Sequence, residues 1–242
     1  KYFTTNRKGA ELIKYASNAF LASKITFINE IANLCEKVGI NIEDISLGMG
    51  SDMRIGSRFL RAGPAYGGSC FPKDTKGLVS IGDKAKIDLS LVRAVIKSNE
   101  NRKKLLLKRI HNIVGKNIKN KKITFLGVTF KPNTDDMRDS ASLSMIPYLE
   151  KKGASITYYD PTGEKKEFTS LKNCKFSKLI NLACKNADLV ILHTEWDEFK
   201  SLDFKKLVKN KKFKLYDLRN LYNREEMKKK NIKYFSIGRP DF

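Results

Sequence analysis

The residues best suited to chemistry lie at positions 67–74, where the sequence reads Gly-Gly-Ser-Cys-Phe-Pro-Lys-Asp. Cys70 follows a flexible glycine pair and precedes Pro72, a residue that fits the first turn of a helix. The unpaired amides of a helix N-terminus stabilise a thiolate, and Lys73 adds a cation. Asp74 supplies a carboxylate one helical turn from Cys70. The pattern predicts a nucleophilic thiol, although a free cysteine can also be a small buried apolar residue.

The other cysteines, Cys35, Cys174 and Cys184, lie in apolar or lysine-rich surroundings and are interpreted as structural. No cysteine pair has the spacing of a metal site, and only His111 and His193 could add imidazole ligands. We therefore expect no metal. Such sparse and unpatterned cysteines are typical of a reducing compartment, so the expected location is cytoplasmic.

The chain is strongly basic, with 48 Lys and Arg against 26 Asp and Glu and a formal charge of +22. Zinc-finger spacing, aromatic RNA-binding motifs and helix-turn-helix signatures do not accompany this charge. We expect a solvated lysine surface with no nucleic-acid partner, while a basic nucleic-acid-binding module remains the alternative from another class. No run approaches the roughly 18 apolar residues of a membrane span, so no membrane partner is expected. A positive field favours an anionic small molecule.

The elements that must position Cys70 are helical in the first half of the chain. Apolar residues recur at spacings of three and four across residues 9–38, which predicts one long helix capped by Gly39. Its apolar surface is wide, so we expect a second subunit to cover part of it. Residues 51–68 combine glycine with arginine and aromatic residues, as in a binding loop. Further helices are expected in these places: from about residue 42 to 48–50, at 73–86 and at 89–116.

In the second half the periodicity changes to short apolar runs that alternate with helical segments, which predicts a mostly parallel sheet. Strands are expected at 122–130, 155–159, 189–193, 213–216 and 233–237. Helices are expected at 143–152, 179–186 and 204–208, and residues 162–177 show no clear structure. The predicted fold class is α/β: an all-helical domain built on one long helix (residues 1–118), followed by a Rossmann-like three-layer α/β/α domain (residues 119–242).

The first predicted strand leads to a single glycine, Gly127, and lacks the GxGxxG fingerprint of a dinucleotide site. Ligands of open parallel sheets bind at the carboxyl ends of the strands. Lys131 and Arg219 are expected there, and such cations suit a phosphate or a diphosphate. Each could equally be an exposed structural charge.

Five separated motifs give the chain a family resemblance. They lie at residues 11–20 (Glu-Leu-Ile-Lys-Tyr-Ala-Ser-Asn-Ala-Phe), 54–60, 67–74, 130–138 (Phe-Lys-Pro-Asn-Thr-Asp-Asp-Met-Arg) and 217–220 (Asp-Leu-Arg-Asn), before a similar ending at 234–239. In this order they resemble the UDP-glucose/GDP-mannose dehydrogenase family across its central helical domain and C-terminal UDP-sugar-binding domain. Family members begin with an NAD-binding Rossmann domain, to which nothing here corresponds. The chain alone is therefore expected to be inactive.

The resemblance implies oxidation of a sugar C6 alcohol to an acid with two NAD⁺, and the motifs favour UDP-glucose over GDP-mannose. By motif, Cys70 would attack the intermediate aldehyde to give a thiohemiacetal, which a second oxidation converts to a thioester. Lys14 and Asn18, at i and i+4 of the long helix, would stabilise the oxyanion. Asp74 would position or deprotonate the hydrolytic water.

The resemblance also implies binding residues. Arg54 would reach the site of a neighbouring subunit, which implies a homodimer through the long helix, and Arg138 would contact NAD. The implied substrate-binding residues are Arg54, Phe59, Leu60, Tyr66, Gly67, Phe71, Lys73, Lys131 and Arg219. The chain has Ala65 where the family often has glycine. Phe59 and Leu60 could also be core residues, Asn18 could be a buried amide, and a purely structural dimerisation unit remains possible.

Overall fold

The computed structural model describes residues 3–115 and 117–240. Four helices form the first part of the chain: α1 (Arg7–Val38), α2 (Ile42–Ser51), α3 (Phe71–Lys84) and α4 (Ser90–Val114). The side chain of Asn6 caps α1 by accepting a hydrogen bond from the Gly9 amide. The left-handed conformation of Gly39 (φ 78°) ends the same helix, as predicted. The predicted end of the fourth helix at residue 116 lies outside the described residues.

The second part contains six strands: β1 (Lys122–Leu126), β2 (Ser155–Tyr159), β3 (Cys174–Phe176), β4 (Leu189–Leu192), β5 (Lys214–Asp217) and β6 (Lys233–Ser236). All pair in parallel in the order β3-β2-β1-β4-β5-β6, the strand order of a dinucleotide-binding fold. Its α-helices are α5 (Ser142–Lys151), α6 (Ile180–Cys184), α7 (Phe204–Leu207) and α8 (Arg224–Lys229). The predicted fold class is therefore confirmed.

Three details of the predicted elements were wrong. Strand β1 ends at Leu126, because Gly127 has φ 74° and a Cβ there would lie 2.5 Å from the Thr194 side chain. Strand β3 lies within the segment predicted to lack structure. Helix α8 was not predicted, although its cap is local, since the Asn223 side chain accepts hydrogen bonds from the amides of its first turn.

Both faces of the sheet are buried, which makes the second part three-layered. Phe125 and Ile191 point into a core shared with α4 and α5, whereas Val190 and Leu215 point into a core shared with α6, α7 and α8. The first core also contains α1 residues such as Ile28. The helical part and the sheet are therefore joined through one continuous apolar core.

The end of the chain returns to the end of α1. The Gly238 amide donates a hydrogen bond of 2.8 Å to Glu36, and its carbonyl accepts one of 2.8 Å from the Ile42 amide. A Cβ on Gly238 would lie only 2.6 Å from the Ile42 side chain. Arg239 pairs with Glu43 on α2. This close approach fixes the C-terminal segment against the helical part.

Helix α1 presents an apolar stripe at seven-residue intervals that nothing in the described chain covers. Its members are exposed: Ile13 (48%), Phe20 (66%), Phe27 (48%) and Leu34 (56%). Repetition at seven residues keeps one face of a helix in line. Among the described residues, no helix has the length and apolarity needed to cross a membrane.

Candidate active site

Cys70 lies where the sequence predicts it, immediately before the first residue of α3. Pro72 occupies the first turn of α3, and the Asp74 amide donates a 2.8 Å hydrogen bond to the Cys70 carbonyl. Cys70 is exposed, whereas Cys35 and Cys184 are buried. Burial raises the pKa of the Cys174 and Cys184 thiols to about 12 in each case. Cys70 therefore combines access with a helix N-terminus.

The glycine pair before Cys70 allows the loop to lie against the second part of the chain. Gly68 has φ 80°, and its amide donates a 2.7 Å hydrogen bond to the Arg138 carbonyl. A Cβ would lie 2.5 Å from the Asp139 carbonyl oxygen at Gly67 and 2.6 Å from the Phe130 ring at Gly68. Neither position can hold a side chain without displacing its neighbours.

Lys14, Asn18 and Asp74 meet beside Cys70. The Asn18 amide nitrogen donates a 2.6 Å hydrogen bond to Asp74 Oδ2, and Lys14 Nζ lies 3.7 Å from the same oxygen. Asp74 is fully buried, and its Oδ1 has no hydrogen-bonding partner among the described residues. The one-turn spacing on α1 therefore brings a cation and an amide to the Asp74 carboxylate, and their role toward an oxyanion stays a prediction.

Two clefts meet at Cys70. The first, which we call the lysine cleft, has a volume of about 680 Å³ and lies beside Lys14 and Asp74. Its cationic lining residues are Lys14, Lys73, Lys76, Lys103 and Arg138. The second, which we call the aromatic cleft, has a volume of about 580 Å³. Its aromatic and cationic lining residues are Phe59, Tyr66, Phe71, Phe130, Arg61, Lys131 and Arg219. A thiol at this junction can reach a molecule in either cleft.

Edge-to-face ring contacts shape the aromatic cleft. The Phe71 ring lies 6.0 Å from Phe59 and 6.1 Å from Tyr66, both in T-shaped arrangements. Burial raises the pKa of Tyr66 to about 12, so its hydroxyl stays neutral at physiological pH. Rings of this kind suit a planar group such as a nucleobase.

Arg219 lies at the far end of the aromatic cleft and is held from several sides. Its guanidinium donates hydrogen bonds to the carbonyls of His193 (2.8 Å) and Phe130 (3.0 Å) and lies 2.6 Å from Glu195. Burial lowers the pKa of Arg219, and Glu195 opposes that shift. Arg61 donates a 2.8 Å hydrogen bond to the Arg219 carbonyl. The two arginines therefore share this end of the cleft.

The turn that carries Arg219 is built by its own motif. Asp217 is buried and accepts hydrogen bonds from the amides of Arg219, Leu221 and Tyr222 and from the Tyr234 hydroxyl. The Asn220 side chain bonds to both the amide and the carbonyl of Ile237 at 2.9 Å. In the motif at 217–220, Asp217 and Asn220 thus hold the turn, and Arg219 lines the cleft.

Arg138 lines the lysine cleft and forms a two-point pair with Asp136, at 2.9 and 2.8 Å. This hydrogen bonding lowers the pKa of Asp136, the arginine being the largest cause. The side chain of Arg138 nevertheless remains 68% exposed. It is fixed in place yet open to a ligand.

Buried polar residues on α1 and α4, which were not singled out from the sequence, hold the loop of the aromatic cleft. The Asn99 side chain accepts from the Tyr66 amide at 2.9 Å and donates to its carbonyl at 3.1 Å. Asn29 accepts from the Gly63 amide at 2.9 Å, and Arg102 donates to the Gly63 carbonyl at 3.1 Å. The binding loop is thus clamped at two residues.

We expect Asn99→Ala to lower the free energy of unfolding by about 2 kcal/mol, because it leaves a buried amide and carbonyl without partners. Urea unfolding followed by the fluorescence of the single tryptophan, Trp196, measures this. Asn101→Ala, at an exposed position of the same helix, is the control and should change stability by less than about 0.5 kcal/mol. Equal losses in the two variants would contradict the clamp.

The chain matches two domains of one known protein family. Residues 8–101 match the central domain of the UDP-glucose/GDP-mannose dehydrogenase family, and residues 124–224 match its UDP binding domain. The chain belongs to this family. The two matched ranges contain the aromatic-cleft residues and all of the lysine-cleft residues except Lys103.

Relatives in the family extend the comparison. A UDP-glucose 6-dehydrogenase of Rhizobium meliloti (strain 1021) is 48% identical over 98% of this chain and 54% of its own length. Among solved structures, a UDP-glucose dehydrogenase from Pyrobaculum islandicum has TM-score 0.83 and 29% identity, covering 96% of this chain and 51% of that one. An NDP-N-acetyl-D-galactosaminuronic acid dehydrogenase from Methanosarcina mazei Go1 has TM-score 0.83, 26% identity and the same coverage. The chain spans about half the length of the relatives it matches.

Three of the predicted substrate-binding residues do not line the aromatic cleft. The Arg54 side chain is 89% exposed and pairs with Asp52 in its own loop. Leu60 is buried in the core shared with the sheet. Lys73 lines the lysine cleft and is not among the residues of the aromatic cleft. The roles of these three residues in substrate binding stay predictions.

Proposed function

We propose that this chain is the substrate-binding and nucleophile-bearing part of a nucleotide-sugar 6-dehydrogenase that oxidises UDP-glucose to UDP-glucuronate with NAD. The observation that carries the proposal is an exposed thiol at the junction of two clefts, beside the cluster of Lys14, Asn18 and Asp74. The names of the relatives support UDP-glucose as the substrate, and the match to the family's UDP binding domain supports uracil as its base.

The aromatic cleft suits the UDP-sugar. The rings of Phe59, Tyr66 and Phe71 offer apolar surface, while Lys131, Arg61 and Arg219 offer cations for a diphosphate. With the nucleotide in this cleft, the sugar would reach Cys70 at the junction. Gly67 allows the loop to close on the second part of the chain.

The lysine cleft suits the cofactor. Lys76, Lys103 and Arg138 would hold the diphosphate of NAD, and NAD would supply the hydride acceptor when bound. We expect most NAD contacts to come from a separate cofactor domain. For that reason the 242-residue chain by itself should bind a UDP-sugar without oxidising it.

The residues around Cys70 then have distinct tasks. The Cys70 thiolate adds to the C6 aldehyde, forming a carbon–sulfur bond and an alkoxide that Lys14 and Asn18 stabilise. Loss of hydride from this thiohemiacetal leaves a thioester. Asp74 orients and deprotonates the water that cleaves the thioester, which releases the acid and returns the thiol. Covalent capture holds the aldehyde between the two oxidations.

Nucleotide-sugar binding by the chain itself tests the proposal most directly. Calorimetry should show binding of UDP-glucose, and Lys131→Ala should weaken it about tenfold, since a diphosphate partner worth about 1.4 kcal/mol is lost. Lys172→Ala, an exposed lysine outside both clefts, should leave the dissociation constant unchanged. Tighter binding of GDP-mannose would change the proposed substrate from UDP-glucose to GDP-mannose. Binding of neither nucleotide sugar would refute the proposed function.

We also propose that the stripe of Ile13, Phe20, Phe27 and Leu34 on α1 is the surface of a homodimer. A second copy can cover the stripe because its four apolar side chains are exposed along one face of α1, and exposed apolar patches mark interaction sites. The dimer would bring Arg54, exposed in its own chain, toward the partner's aromatic cleft. The stripe therefore links oligomeric state to substrate binding.

A double substitution tests the dimer. Phe20→Asp with Phe27→Asp should raise the dimer dissociation constant by at least about 100-fold, because two charges would be buried without partners. Light scattering after size-exclusion chromatography measures the mass. The matched control, Leu179→Asp with Leu182→Asp, changes two exposed leucines near and on α6 and should remain dimeric. A dimer that survives the first pair would contradict the interface.

A further inference from the structure

Another cationic cavity lies at the amino ends of the strands, opposite the carboxyl ends where Arg219 lies. A cavity of about 870 Å³ opens at the amino ends of β5 and β6, where Lys214 and Lys233 are the first residues of neighbouring strands and pair in register. Arg219 follows the other end of β5, at the carboxyl edge. Because the cavity and the aromatic cleft lie at opposite ends of the strands, they are separate sites.

The lining of this cavity is one-sided in charge. Its cationic side chains include those of Lys205, Lys211, Lys212, Lys214 and Lys233. Val208, Phe213 and Ile232 provide apolar wall, and no aspartate or glutamate is among the described lining residues. Lys211, Lys212 and Lys214 belong to one basic run, and the fold brings Lys205 of α7 and Lys233 of β6 to the same cavity.

Lys214 shows that the cations influence one another. Partial burial lowers the pKa of Lys214, and the charges of Lys233 and Lys121 lower it further. Its ammonium group donates a hydrogen bond to the Ile113 carbonyl in the last turn of α4. An anion placed here would relieve the repulsion between these lysines.

We infer that this cavity at the amino ends of β5 and β6 binds a multiply charged phosphate anion. Lysine meets phosphate as a point charge, and several lysines around a hollow suit several phosphate groups. Phe213 is buried, so no ring is offered for base stacking, which argues against nucleic acid. The same chemistry could come from a soluble oligophosphate or from the headgroups of anionic lipids.

Calorimetry with sodium triphosphate tests the inference on the 242-residue chain. We expect a binding component for this cavity, distinguished from binding in the two clefts because it weakens at least tenfold in Lys212→Glu with Lys233→Glu. The control, Lys166→Glu with Lys172→Glu, makes the same change of net charge near the opposite edge of the sheet and should retain binding. Both double variants keep Lys131 and Arg219. Triphosphate that binds in the aromatic cleft would therefore show the same affinity in the two variants. Equal affinities in the two variants would overturn the inference.

Sedimentation with phosphatidylglycerol vesicles distinguishes the sources. Vesicle binding that the first pair abolishes and the control pair retains, with weak triphosphate binding, would identify a lipid headgroup. Triphosphate binding without vesicle binding would identify a soluble ligand. Failure of both probes would refute the site. UDP-glucose affinity should be unchanged in both double variants, so the outcome is independent of the proposed function.

Discussion

Under the proposed function, replacing Cys70 with serine in a protein that also carries the cofactor domain should abolish formation of the uronic acid, with kcat falling at least about 1,000-fold. A serine hydroxyl is a much weaker nucleophile than a thiol, so the aldehyde would not be captured. The second oxidation would therefore lack its covalent intermediate. Chromatographic assay of UDP-glucuronate measures the loss directly. The affinity for UDP-glucose should change little, because serine keeps the shape of the junction.

Cys174→Ser is the matched control for this experiment. Burial raises the pKa of Cys174 to about 12, so this thiol is a poor nucleophile and its removal should leave acid formation intact. Iodoacetamide should alkylate Cys70 first, since Cys35 and Cys184 are buried. Undiminished UDP-glucuronate production by the Cys70 variant would reject the nucleophile assignment.

Asp74→Asn should slow release of the acid about 100- to 1,000-fold while leaving its formation on the thiol largely intact. The amide can still accept a hydrogen bond from Asn18, but it cannot take a proton from water. Rapid mixing should show a burst of two NADH per site followed by slow turnover. Mass spectrometry of the quenched enzyme should find the uronyl thioester on Cys70.

Asp83→Asn is the control, because this residue lies near the other end of α3 and its carboxylate pairs with Arg93 on the surface. It should show normal turnover without a burst. If Asp74→Asn slowed the first turnover as much as later ones, its carboxylate would act before the thioester forms. That result would contradict a role confined to hydrolysis.

The elements that could be predicted from sequence are those with local causes. The period of α1 and its cap at Gly39 are written in neighbouring residues, and the apolar run of β4 identifies a strand buried on both faces. Strand β3 was missed because it is a three-residue edge strand in a lysine-rich segment, held by its pairing with β2 and by the packing of Cys174 and Phe176 against the core. Such a strand has no signal apart from its neighbour.

The candidate site divides in the same way. The cysteine loop was predicted from its residue types at a helix start, whereas Lys14 and Asn18 were predicted from the family resemblance, with a one-turn spacing that lets both face one site. The clamp was missed because Asn99 and Arg102 lie on a helix whose sequence is rich in charged and polar residues. A buried amide cannot be distinguished from a solvated one until the loop that it holds is in place. Similarly, Leu60 lies within a binding motif, and only the packing shows that it belongs to the core.

The return of the C-terminal segment to α1 has a consequence for biosynthesis. The hydrogen bond between Gly238 and Glu36 joins residues separated by 202 positions, and the ion pair between Arg239 and Glu43 spans almost as many. Contacts this distant in sequence form late and slow the folding of a domain. During translation, the end of α1 stays uncovered until residues 238 and 239 have left the ribosome. A nascent chain that stalls in β6 would expose this helix end to chaperones and proteases.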